Sequence, residues 1–195
     1  MARRSDHSRD ELVQLIIDTG HELISEQGIK NFSARAVANK IGYSVGTLYH
    51  VFGSYDHLMT HINAKTLDHW YEAMMAALAQ EDNLSLIHRL ARFYLQYSEQ
   101  HQQSWLGLFE YHASPDYEIP LWYQEKLQRF FQQLETAIAP NLQDEASIKQ
   151  TAKILWAGIH GITILALSGK LAITGASSPE AMAFALVEGY LAGVP

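Results

Sequence analysis

The side chains able to do chemistry are best sorted first by what they cannot do. The chain has no cysteine, which removes thiolate nucleophiles and disulfides. It carries no G-x-S-x-G nucleophile elbow, no G-x-x-x-x-G-K-[ST] phosphate loop and no H-E-x-x-H zinc helix. His57 and His61 stand four apart and could share a metal ion, but no third ligand is implied, and a solvated helix face is the simpler reading. What remains is a run of small hydroxyls, glycine and histidine at Ser33, Ser44, Gly46, Thr47 and His50. On a DNA-binding helix such groups can grip phosphates and base edges, and no catalytic motif places a general base beside them. The expectation is a binding protein: no catalytic residue, no cofactor, no metal, and not an enzyme.

These residues need helices to hold them. Ser8 and Glu11 form the capping box S-x-x-E, and Leu12, Ile16, Leu23 and Ile24 follow at helical spacing, predicting a helix from Arg9 to Gln27 closed by a left-handed Gly28. Ser33 caps a second helix that buries Ala34, Val37, Ala38 and Ile41 and ends at Gly42. Ser44 caps a third over Val45–Val51, stopping near Gly53, and Ser54 caps a long fourth helix reaching about Gln80. Two short helices joined by a tight turn make a helix-turn-helix. Helical spacing continues through Leu84–Gln102, Ser104–Ala113, Pro120–Ala139, Ala146–Lys170 and Pro179–Ala192, with turn chemistry between them. The expected fold is all-α: an N-terminal three-helix DNA-binding domain over residues 1–54 joined to a helical ligand-binding and dimerisation domain over 55–195, with the fourth helix connecting them.

The segment from Phe32 to Phe52 resembles the DNA-binding domain of the TetR family. Gly46-Thr47-Leu48-Tyr49, Phe52 and Leu58 match the family pattern in order and spacing. The resemblance implies that the third helix enters the major groove with Ser44, Val45, Gly46, Thr47 and His50 toward the duplex, while Leu48 and Phe52 face inward. It gives Tyr49 the role of a phosphate contact and aligns Arg35, beside Ser33, with a base-reading arginine whose fork suits guanine O6 and N7. Tyr55 stands where the family usually has a phosphate-contacting lysine, so it supplies a hydrogen bond but no charge. Arg3 and Arg4 are candidates for the adjacent minor groove.

Farther along, Trp156-Ala157-Gly158-Ile159-His160-Gly161 resembles the W-x-x-x-H-G signature of one group of TetR-like C-terminal domains. Trp156 and His160 share a helix face, and Gly161 is expected to admit a neighbouring helix. The resemblance implies a homodimer through the last two helices. Phe184, Ala185, Val187 and Leu191 form a stripe that serves either that interface or a seam inside one chain. The central helices are rich in aromatic residues, and a pocket between helices needs apolar walls with a few polar groups. Its candidate lining is His88, Arg92, Tyr97, Trp105, Phe109, His112, Trp122, Trp156 and His160, for a small, mainly apolar effector. The function expected is a transcriptional repressor released from its operator by that effector; an effector-free DNA-binding protein that organises a partner protein is the alternative.

Composition agrees. At 195 residues, 48% hydrophobic and 18% charged, the chain reads as a globular protein. Residues 1–65 hold seven basic and seven acidic side chains, whereas 66–195 hold seven against fourteen, so the whole net charge of -7 lies downstream. An acidic body is repelled by phosphate, which leaves the neutral N-terminal part to meet DNA. Ile154–Leu167 is the most apolar run, but Trp156, Gly158, His160, Gly161 and Thr163 interrupt it, so it predicts a buried helix rather than a membrane span. No signal-peptide pattern is present, and a cytoplasmic location is expected.

Overall fold

Short polar caps define most of the element boundaries in the computed structural model, which describes residues 7–176 and 178–193. Regular structure among these residues is entirely helical: α1 Arg9–Gln27, α2 Ala34–Ile41, α3 Val45–Phe52, α4 Tyr55–Leu78, α5 Leu86–Gln100, α6 Gln102–Glu110, α7 Leu121–Ile138, α8 Glu145–Leu167, α9 Lys170–Ile173 and α10 Pro179–Ala192, with single 3-10 turns at 29–31 and 139–141. The all-α expectation holds. The described residues divide into two compact units. One runs to His69 and adds Gln103–Tyr123; the other comprises Trp70–Gln102 and continues from Gln124.

In the first unit the capping box at α1 is complete: Ser8 Oγ accepts from the Glu11 amide at 3.3 Å, and the Glu11 carboxylate accepts from the Ser8 amide at 2.7 Å. Gly28 departs from the expected left-handed cap. Its φ is 76° but its ψ is 163°, so the chain leaves the helix extended. Gly42, by contrast, is left-handed at φ 75° and ψ 25°, as the turn after α2 requires. Ile16, Val37, Ala38, Leu48, Phe52, Leu58, Met59 and Ile62 form one core from the first four helices. Ile41, expected inside, is only partly buried against it. α6 joins this unit by packing Gly107 near Ile24, where an added Cβ would come within 3.2 Å of Ile24 Cγ2. The sequence places α6 over 104–113, but it stops at Glu110, because Tyr111 and Ser114 turn away to bond Asp56.

In the second unit α5, α8 and α10 pack on one another. Arg89 closes α4, donating from Nη2 to the carbonyls of Leu78, Gln80 (2.8 Å) and Ala77 (3.3 Å), the last of which also accepts from the Gln80 amide at 3.3 Å. α8 ends earlier than expected, because Gly169 at φ 70° breaks it before the separate turn α9. Within the described chain Gly161 meets nothing within 4 Å; the close-packing glycine there is Gly158, where a Cβ would fall 2.4 Å from Leu186 Cδ2. The stripe of Phe184 and Val187 is a seam inside the chain: Val187 is 1% exposed, and the Phe184 ring lies 4.6 Å from His88. The faces that α8 and α10 leave open carry Ile154, Ala157, Gly161 and Leu165 on one helix and Ala181, Ala185, Gly189 and Ala192 on the other.

Candidate nucleic-acid interface

The start of α3 is built around a single oxygen. Ser44 Oγ accepts from the Thr47 amide at 3.1 Å and lies 2.9 Å from Thr47 Oγ1, so one hydroxyl caps the helix and fixes its neighbour. Leu48 and Phe52 anchor the helix from below at 0% and 8% exposure, while Gly46, Tyr49 and His50 are exposed and Val45 and Thr47 half-buried. Where Gly46 stands, an added Cβ would meet only Ser44 Oγ, at 3.6 Å. Among the described residues no other covers Gly46, and a flat partner can approach the backbone there.

Ser33 caps α2 by accepting from the Ala36 amide at 3.1 Å, which directs Arg35 outward on the first turn. Lys30, Lys40 and Lys65 pair with Glu110, Glu22 and Asp18 respectively. None of the ion pairs among the described residues involves Arg35, and its exposed side chain can meet an outside acceptor. Tyr55, at the first position of α4, is half-buried between Phe32 and Tyr111, with ring centroids 6.4 and 6.2 Å away. Burial raises its phenol pKa, with further contributions from Tyr49 and Asp56, so it stays a neutral donor. Arg3 and Arg4 lie outside the described residues.

The nine expected effector-lining residues fall in both units. In the first, Trp105 is fully buried against Phe109, with centroids 4.8 Å apart. His112 is exposed and meets the Glu110 carbonyl at 2.9 Å. Trp122, 36% exposed, lies against His61 at 4.9 Å. In the second, His160 Nδ1 meets the Tyr94 hydroxyl at 2.8 Å, and its ring lies 5.6 Å from Trp156. Burial lowers the His160 pKa and keeps the ring neutral. Tyr97 is buried between Trp70 and His101, and burial pushes its phenol up to about 12. His88 bonds Ser85 at 2.7 Å. Arg92 is committed to Glu180 at 3.1 and 3.2 Å and to Asp82 at 3.2 Å, joining α5 to the start of α10.

Sequence reasoning missed the neighbourhood of Asp56. Its partners lie 55 and more residues away, and no local pattern announces them.

An exposed, capped helix start, seated on a core from the first four helices beside an exposed arginine, defines the class of helix-turn-helix DNA-binding proteins. The chain belongs to the TetR family of bacterial transcriptional regulators: the model of "Bacterial regulatory proteins, tetR family" matches residues 16–62, and that of "Tetracyclin repressor-like, C-terminal domain" matches residues 87–190. It is thus a DNA-binding transcription regulator and not an enzyme. No curated protein sequence matches the chain. Its fold is similar to that of a protein of unknown function from Rhodococcus sp. RHA1, with a TM-score of 0.70 and 16% identity over 100% of this chain and 99% of that one. It is also similar to the multidrug binding protein EbrR complexed with imidazole (TM-score 0.65, 21% identity, 100% and 99% covered). A transcriptional regulator from Saccharomonospora viridis in complex with choline gives 0.63 and 21% over 92% and 95%. Among the described residues no helix is long and apolar enough to cross a membrane.

Proposed function

We propose that this regulator is a cytoplasmic, homodimeric repressor that a small, mainly apolar effector releases from its operator. The observation that carries the DNA side is the exposed start of α3, with Gly46, Tyr49 and His50 open and Thr47 half-buried above a buried Leu48 and Phe52. Tyr49 and Tyr55 hold phosphates, Arg35 reads a base, and Ser33, Ser44, Val45, Thr47 and His50 complete the surface. The dimer forms through the open faces of α8 and α10, where Ala157, Gly161, Ala185 and Gly189 let two pairs of helices approach closely. Small residues at such a crossing favour a four-helix contact with its two-fold copy.

The effector reading is supported by the aromatic walls of the second unit. The rings of Tyr94, Tyr97 and Phe130 lie with centroids 4.4–6.0 Å from that of Trp70, and the Trp70 indole Nε1 is buried without a hydrogen-bond partner among the described residues. An unpaired buried donor costs about 1–3 kcal/mol, which a ligand acceptor would recover. The complexes of EbrR with imidazole and of the Saccharomonospora viridis regulator with choline are consistent with a small ring or onium ligand. The test is a screen of aromatic and small cationic compounds for thermal stabilisation, followed by operator titration with each hit. A coupling of about 1–3 kcal/mol changes operator affinity roughly 5–150-fold. Hits that stabilise the protein and leave DNA binding unchanged count against the release mechanism.

A further inference from the structure

The segment between α6 and α7 is tied to the first turns of α4 by a network centred on Asp56. Asp56, the second residue of α4, accepts from the Tyr111 hydroxyl, from Ser114 Oγ at 2.7 Å and from the Ser114 amide at 3.3 Å. One turn later Thr60 Oγ1 donates to the Asp56 carbonyl and lies 2.8 Å from the Tyr117 hydroxyl. The Tyr117 ring meets His57 edge-on at 5.1 Å. Hydrogen bonds from Tyr111 and Ser114 hold the Asp56 carboxyl below its ordinary pKa, so the charged hub persists at neutral pH.

Tyr111 serves two contacts at once: its hydroxyl bonds Asp56 and its ring packs on Tyr55. A carboxylate that accepts three hydrogen bonds at a helix start also complements the helix dipole, which fixes the turn that carries Tyr55. We propose that Asp56, Tyr111 and Ser114 are positioning residues for the DNA-binding surface, holding Tyr55 in place so that operator affinity depends on contacts that never touch DNA. The inference rests on the reading of Tyr55 as a phosphate contact.

The test is a double-mutant cycle of Tyr55→Phe and Tyr111→Phe in the full-length protein, with Ser114→Ala as a second, exposed-loop variant that spares the packed rings. The probe is a duplex that the wild-type protein enriches from a randomised pool. Binding is measured at fixed salt, with the active fraction set by stoichiometric titration, so that partial unfolding does not pass for weak binding. Tyr111→Phe and Ser114→Ala should each weaken binding about 3–10-fold, and Tyr55→Phe should lose most of its own effect once Tyr111 is Phe. A structural role for Tyr111 alone would lower thermal stability and leave the Tyr55 effect intact, because uncoupled residues add. That additivity, or wild-type affinity in both Tyr111→Phe and Ser114→Ala, overturns the proposal. If Tyr55→Phe is silent in the wild-type background, the phosphate-contact reading itself falls and the route through Tyr55 falls with it.

Discussion

Tyr49 and Arg35 both project from the helix-turn-helix, but they face different tasks and should fail differently. Tyr49→Phe removes a hydroxyl donor and should weaken binding about equally on every DNA sequence. Arg35→Ala should relax specificity at one base pair by roughly 1–3 kcal/mol while weakening unrelated DNA less. Titrations on matched and singly substituted duplexes separate the two, and equal losses for Arg35→Ala on all sequences would make it a backbone contact. The half-buried histidines give a second prediction. Burial, then His57, lowers the pKa of His61, and burial lowers that of His160. The unfolded chain therefore binds more protons than the folded one between these depressed values and the ordinary value of about 6.5. Stability is fully present above about 6.5 and is lost as pH falls through that window. Thermal midpoints should drop from pH 7 to pH 5, and His61→Gln should flatten the drop; a midpoint independent of pH in that range would contradict it.

The helices owe their ends to single polar groups, which makes their contributions separable. Arg89→Ala should uncap α4 and lower stability by about 1–2 kcal/mol, measured by urea unfolding, since charge-assisted bonds to three carbonyls are lost. Gly20→Ala is expected to destabilise despite the better helix propensity of alanine, because the new Cβ would lie 2.4 Å from Cδ1 of a fully buried Ile62. Overpacking of this kind costs about 1–3 kcal/mol; an unchanged or higher unfolding midpoint would mean that Ile62 finds another rotamer. What could be read in advance follows the same division. Ser8, Ser33, Ser44, Gly42 and Gly53 act within a few residues, so the capped ends of α1, α2 and α3 were legible from spacing. The end of α6 was not, because Asp56 decides it from more than fifty residues away. Periodicity likewise marks Phe184 and Val187 as a stripe without saying what covers it, and α5 supplies that cover within the same chain. Nor can a sequence tell which of Gly158 and Gly161 meets a neighbour; the side chain of Leu186 settles that.

Taken whole, the sequence carries an N-terminal part of balanced charge and an acidic remainder, and the proposed dimer uses the faces that α8 and α10 leave exposed in the single chain. Ala185→Glu should convert the protein to monomers in sedimentation without unfolding it, since Ala185 is exposed in the single chain. Val187→Glu, at a buried site, should unfold it instead. A dimer that survives Ala185→Glu would move the interface elsewhere. Two recognition helices related by a two-fold axis read half-sites about 34–36 Å apart or a multiple of that distance. The most direct measurement is therefore a selection of randomised duplexes by the purified wild-type protein, sequenced after several rounds. The expected result is one enriched, two-fold symmetric motif with half-sites spaced by a whole number of helical turns, lost when Arg35 and Tyr49 are both replaced. Enrichment of no motif, or of an asymmetric one that survives those replacements, would contradict sequence-specific binding through the start of α3.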